Sequence, residues 1–237
     1  RSDQWMVGYY ERVMKCAARH RLFVDMHGSY TPKGLYRTYP NLLTYEGVLG
    51  MEQGARCKPE NSNWLPFIRN AVGPMDFTPG SMFSAQPEDN RSTGANPMGT
   101  GTRAYQMALY VVFESPLQML ADNPVLYRRE HPCTEFLAAV PTTWDSLRVL
   151  HAACGREVVV ARRKGDKWYV GGITNDRPYT TEIALDFLPA GRTFTMTSFE
   201  DGVNADLQAT DYRKRVREVD ASTVVKVEMV RNGGWAA

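Results

Sequence analysis

A chain of 237 residues with 43% hydrophobic side chains is long enough to bury one large core or two modest ones, which argues against disorder over most of its length. Its 28 basic and 26 acidic side chains leave a formal charge of +2, so no broad field draws in nucleic acid or an anionic membrane surface, and the partner must be read from a site. No run of about 18 apolar residues is present to span a membrane.

The opening RSDQWMVGYYERV lacks the charged-then-apolar form of a signal peptide and enters a helical pattern at once, as though a longer protein were entered partway along. Asp3 is placed to cap a helix reaching about His20, with Met6, Tyr9, Tyr10, Val13, Cys16 and Ala17 at the 3.6 period. The short apolar run from Leu22 to Met26 then ends in His27 and Gly28, the pattern of a buried parallel strand that delivers polar groups at its C-terminal end. A helix leading into such a strand indicates an α/β unit. Residues 29–54, rich in Gly, Pro, Asn and Tyr, read as a long ordered loop. Further turn-rich stretches span 73–80 and 92–101. Residues 102–114 predict a helix with Ala104, Met107, Ala108, Val111 and Val112 on one face, and Ser115 is expected to cap another helix with Pro116 in its first turn.

The pattern changes near Thr142. Apolar and β-branched runs at 156–162, 168–174, 193–199 and 223–230, with a turn at 164–167, predict a meander of antiparallel strands. The expected fold class is α/β plus all-β: an α/β portion over 1–142 and a β-sandwich over 143–237. Cys16, Cys57, Cys133 and Cys154 have neither paired spacing nor a histidine set for zinc, and read as structural thiols. The isolated His20, His131 and His151 read as structural or exposed. The basic runs 162–164 and 213–215 read as solvated faces, and Trp144, Trp168 and Trp235 as packing residues.

Chemistry concentrates in HGSYTPKGLYRTYPN and the following YEGVLGME. Together they carry His27, Arg37, Asn41, several tyrosines, Glu46 and Glu52, and sugar sites need such hydrogen-bonding groups with aromatic walls. Gly47 and Gly50 lie between the two glutamates, so the backbone is free to turn and aim both carboxylates at one point. Such a pair is suited to calcium, or one member to general acid catalysis if its pKa is raised; on spacing alone two solvated loop residues are the better reading.

The run HGSYTPKGLYRTYPNLLTYEGVLGMEQ resembles the signature of glycoside hydrolase family 97, as do GPMDFTPGSM, the TWD at 143–145, VVVARRKGDKWYVGGITN, DGVNADLQATDY and GGWAA. The resemblance implies the later part of a catalytic (β/α)8 TIM-type barrel followed by a C-terminal antiparallel β-sandwich. It also implies a glycoside or oligosaccharide substrate and a calcium cofactor. By position, Glu52 matches the general acid, which also adjoins the metal, Glu46 matches a calcium ligand and His27 matches a sugar contact. Inverting members carry a glutamate after that histidine; Gly28 places this chain with the retaining, α-galactosidase-like branch. An α-glucosidase or a β-L-arabinopyranosidase is the alternative, and an inactive carbohydrate-binding fragment the rival of another class. The resemblance places the nucleophile upstream of Arg1 and a further calcium-binding glutamate in an N-terminal part of the same protein. It implies a bacterial protein in the periplasm or secreted. Asp25 and Asp76 are the alternatives to that nucleophile within the chain; otherwise Asp25 is expected as a partner of His27, Asp76 as a ligand of sugar hydroxyls or a turn cap, and Arg37 and Asn41 as sugar contacts or bonds to loop carbonyls.

Overall fold

The structure, a computed structural model, describes residues 3–237. Asp3 caps α1 (Gln4–Arg19), its side chain accepting from the Met6 amide at 2.9 Å. Tyr10, Met14 and Ala17 form the buried face, whereas Tyr9 and Cys16 turn outward. The strand that follows, β1 (Val24–Met26), is shorter than expected. Leu22 and Phe23 are exposed, because only Val24–Met26 finds a partner, β2 (Leu42–Tyr45), in parallel pairing.

The expected loop over 29–54 is corrected on three counts: it contains the helical turn α2 (Leu35–Thr38), β2 itself and a 3-10 segment, Met51–Arg56. β2 is only four residues long, too short to show a period between its flanking turns. Two short turns follow, α3 (Pro59–Ser62) and α4 (Leu65–Ile68), then a second parallel pair, β3 (Ser84–Ala85) with β4 (Gly99–Thr100).

Thr102 caps α5 (Arg103–Val112), its hydroxyl accepting from the Tyr105 amide at 3.0 Å. All ten residues of α5 are buried rather than one face, because the helix lies between the first portion and the large sheet of the second. The helix expected at Pro116 is absent: Ser115 bonds within its own turn to Leu117. The next helices are α6 (Pro124–Arg129), capped by Asn123, and α7 (His131–Ala139).

The second portion is antiparallel, with strands β5 (Ser146–Ala153), β6 (Glu157–Lys164), β7 (Lys167–Ile173), β8 (Tyr179–Ala184), β9 (Phe194–Asp201), β10 (Tyr212–Val219), β11 (Val224–Met229) and β12 (Gly234–Ala236). It is not a simple meander. The large sheet runs β10-β9-β12-β7-β6-β5, with the last strand inserted between β9 and β7, and β11 pairs separately with β8. β6 is buried on both faces. Val158 and Val160 join a core shared with α5, while Val159 and Ala161 join a core shared with Ile183, Val225 and Val227 of the small sheet. Gly171 of β7 admits α5 closely, since a Cβ there would stand 2.9 Å from the Ala108 carbonyl oxygen. Apolar packing therefore runs without a break from α5 into the large sheet.

Of the two basic runs, only Arg162 departs from the solvated face expected. Arg162 is buried, paired with Glu114, donating to the Val112 carbonyl at 3.0 Å and lying 5.6 Å from the Trp144 ring centroid. Arg213, Arg215 and Arg217 gather on Glu200 at 4.0, 3.2 and 3.7 Å. Trp235 is fully buried, and all four cysteines are free thiols. No helix among the described residues is long and apolar enough to cross a membrane.

Candidate active site

The two parallel strands β1 and β2 end side by side, with Met26 opposite Tyr45. The Glu46 amide extends the ladder by donating to the Met26 carbonyl at 2.8 Å, so His27, Gly28 and Glu46 emerge together at the strands' C-terminal ends. Two further backbone bonds bring in the remaining pieces. The Asp76 amide donates to the Tyr45 carbonyl at 2.8 Å, and the Met51 amide, next to Glu52, donates to the Phe77 carbonyl at 2.8 Å.

The side chains converge as a result. One oxygen each from Glu46 and Glu52 and one ring nitrogen of His27 lie within 4.8 Å of one another. His27 Nδ1 is 3.9 Å from Glu52 Oε2, and the Gly28 amide donates to Glu46 Oε2 at 2.7 Å. Gly28 has a left-handed φ of 60°, a conformation that glycine adopts without strain and that aims its N–H at the carboxylate. Of the two glycines between the glutamates, only Gly47 uses that freedom, at φ 46°; Gly50 is extended. Glu46 is buried, whereas Glu52 is open to solvent.

On its other edge, His27 Nε2 lies 2.8 Å from Asp76 Oδ2 and 3.4 Å from Asp25 Oδ2. Burial, the hydrogen bond to Asp76 and the Asp76 charge push the Asp25 carboxyl up to about 7. Burial pulls His27 down, but the Asp76 hydrogen bond and the charges of Asp25, Asp76 and Glu46 outweigh it and raise its pKa. Glu52 is also raised, first by its hydrogen bond with Glu46, then by burial and the Glu46 charge. The upward direction favours the protonated form, as a general acid requires.

Three residues read as sugar ligands or structural bonds stand outside the Glu46–Glu52 convergence. Asp76 is wholly buried: Oδ1 accepts from the Thr78 and Met119 amides and Oδ2 is taken up by His27, so it braces the imidazole and has no face for a sugar hydroxyl. Arg37 is exposed on α2, its guanidinium 5.7 Å from the Tyr36 ring centroid, with no hydrogen bond or ion pair to the converging groups. Asn41 bonds the Met14 and Leu22 carbonyls at 3.2 and 3.4 Å, the structural alternative. The tyrosines expected as sugar walls pack largely on one another, with Tyr10 and Tyr30 centroids 5.0 Å apart and Tyr45 fully buried.

Sequence reading missed Arg69. Its buried guanidinium donates to the carbonyls of Tyr45, Glu46, Gly47, Gly73 and Pro74 at 3.0 to 3.2 Å and so clamps the backbone that carries Glu46. Burial lowers its pKa to about 10. Nothing in the chain flags it, since its partners are main-chain atoms.

A small cavity of about 40 Å³ adjoins Glu52 and is lined by Met51, Ser81, Ser92 and Met98. A larger one, about 350 Å³, lies in the second portion among Trp168, Phe187, Phe194 and Met196 and is mainly apolar. Its lining offers no carboxylate pair.

A family model described as "Glycoside hydrolase 97" matches residues 1–48, and one described as "Glycosyl-hydrolase 97 C-terminal, oligomerisation" matches 143–237. A retaining alpha-galactosidase of Bacteroides thetaiotaomicron is 42% identical over 100% of this chain and 36% of its own length. A probable retaining alpha-galactosidase of Streptomyces bingchenggensis is 33% identical over 97% of the chain and 33% of its own length. The chain thus spans about a third of the length of these relatives. A family 97 enzyme from Pseudoalteromonas sp. strain K8, solved with panose, superposes with a TM-score of 0.87 at 36% identity, over 98% of this chain and 37% of that one. A beta-arabinopyranosidase superposes at 0.78 and 29% identity, over 96% and 36%. On the two family models, the relatives and the solved structures together, the chain belongs to glycoside hydrolase family 97.

Proposed function

We propose that this chain carries the acid/base side of the active centre of a calcium-dependent, exo-acting retaining α-galactosidase, with residues 1–142 as the later part of a (β/α)8 barrel and 143–237 as an accessory β-sandwich. The observation that carries the reading is the convergence of Glu46 and Glu52 beside His27 at the ends of two parallel strands. Glu52 is the general acid, its raised pKa keeping a proton available for the departing glycosidic oxygen. His27 contacts the terminal sugar. Gly28 has no side chain to activate water, which supports retention over an inverting route from this position.

Glu46 and Glu52 fit calcium, because two hard oxygen donors meet at one point and their mutual repulsion would be relieved by a cation. When bound there, the ion supplies fixed positive charge that orients the two carboxylates. The retaining route needs a second carboxylate about 5 Å from the acid. Asp76 is fully engaged and Asp25 lies behind His27, so we assign the nucleophile to a segment outside these 237 residues. The superposition on a beta-arabinopyranosidase supports a second reading, a β-L-arabinopyranosidase, which shares the relevant sugar stereochemistry.

The test is Glu52→Gln in the complete protein. For an unactivated α-galactoside kcat/KM should fall by about 10²–10⁴-fold, while kcat/KM for an aryl galactoside whose leaving group needs no proton is largely spared, because only the second step still needs Glu52, as a base. Equal rates on both substrates before and after substitution would remove Glu52 from the mechanism. Binding of galactosides with no hydrolysis by the unsubstituted protein would favour the carbohydrate-binding reading.

A further inference from the structure

The two nitrogens of His27 have different surroundings. Nε2 faces the buried Asp76 carboxylate at 2.8 Å, with Asp25 at 3.4 Å on the same side. Nδ1 points the other way, toward Glu52 at 3.9 Å, too far for a direct hydrogen bond, and it has no hydrogen-bond partner among the described residues. Asp76 is itself immobilised, because Oδ1 accepts from the Thr78 amide at 3.1 Å and the Met119 amide at 3.0 Å. Two amide donors on Oδ1 favour the carboxylate form of Asp76, and a carboxylate has no hydrogen to give, so the hydrogen shared with Oδ2 belongs to His27 Nε2. A neutral imidazole with its hydrogen on Nε2 has its lone pair on Nδ1.

We propose that Asp76 is a positioning residue that holds His27 as the Nε2–H tautomer, leaving Nδ1 to accept a hydrogen bond from a hydroxyl of the bound sugar. This rests on reading the cleft as a glycoside site and deepens it: the sugar group that meets His27 must be a donor. Turning the ring by 180° about its Cβ–Cγ bond would forfeit the Asp76 bond, so ring orientation and tautomer are set together.

Asp76→Asn is the informative change. The asparagine carbonyl still accepts from the Thr78 and Met119 amides, while its NH₂ group donates to Nε2 and so drives the hydrogen to Nδ1. The complete protein is labelled with ¹⁵N-histidine and observed by NMR at mildly alkaline pH, with the His27 signals identified by their loss in His27→Gln. The unsubstituted protein should show the Nε2–H pattern and Asp76→Asn the Nδ1–H pattern. For α-galactoside hydrolysis, Asp76→Asn should lower kcat/KM by about 10- to 100-fold, mainly through KM, and should add less than about twofold in the His27→Gln background. An Nδ1–H pattern in the unsubstituted protein overturns the proposal even if Asp76→Asn does not fold. An unchanged tautomer in Asp76→Asn, or a loss that multiplies fully with that of His27→Gln, overturns it too. If the complete protein cleaves no glycoside, the functional reading fails while the tautomer measurement still decides the role of Asp76.

Discussion

The Gly28 amide donates to Oε2 of Glu46 at 2.7 Å, linking positions 18 residues apart at the ends of two parallel strands. That bond sets which way Glu46 faces, and therefore where Glu52 finds a neighbouring carboxylate. Because Glu46 contributes the first cause of the raised Glu52 pKa, it would tune the proposed acid as well as offer the proposed metal ligand.

Glu46→Gln keeps an acceptor for the Gly28 amide and removes the charge. A general acid must be protonated, so activity falls as pH rises through its pKa, and a raised pKa extends activity upward. Lowering the Glu52 pKa should therefore move the alkaline limb of kcat/KM to lower pH. The pH–rate profile of the complete protein, at saturating calcium, checks this. A limb that stays in place or moves up would separate Glu46 from control of the acid.

Asp25 should make stability pH-dependent. Its folded pKa of about 7 lies above the model-peptide value of 3.8, so the folded state retains a proton that the unfolded chain releases. Its contribution is fully present below the lower value and is lost as pH rises through the upper one. Asp25→Asn, whose NH₂ group can still donate to Asp76, should flatten the stability curve across this window and be relatively more stable at the alkaline end. Thermal melts across the range test it; parallel curves for the two proteins would sink the idea.

Asp201 ties the two portions together. Its buried carboxylate accepts from the Thr102 hydroxyl at 2.6 Å at the start of α5 and from the Val230 and Gly234 amides at 3.0 and 3.2 Å. Burial pushes its pKa up to about 7, against the pull of these donors. Asp201→Ala would strand all three donors and should cost about 2–4 kcal/mol, read by urea denaturation. A loss below about 0.5 kcal/mol, the range of ordinary surface changes, would mean that the junction does not depend on this carboxylate.

Chelation should lower activity of the complete protein, and added calcium should restore it if Glu46 and Glu52 hold the ion. With Glu46→Gln the calcium concentration giving half restoration should rise by about tenfold or more, since a charged ligand is lost. Full activity in excess chelator would dismiss the cofactor.

Much of the candidate site is legible in the sequence. His27, Glu46 and Glu52 lie within one stretch of chain, and β1 announces itself by an apolar run ending in polar residues. The errors are equally specific. Asp76 and Arg37 each stand between sugar ligand and structural bond in the sequence, because residue type shows what a group can do and not whether solvent reaches it; the Thr78 amide bond is the turn-cap alternative for Asp76. The strands β5, β8, β10 and β12 left weak signals: β10 is crowded with charge, and β12 is three residues long.

The amino-acid order alone determined the local elements with strong periodicity, the family, and the trio of candidate residues at His27, because these depend on neighbours along the chain. Only the tertiary structure decided that Asp76 lies behind His27, that Arg69 grips the Glu46 backbone and that β12 slots between β7 and β9. Those relationships join residues about 20 to 60 positions apart, and they follow from which buried groups must find hydrogen-bond partners once the chain has collapsed.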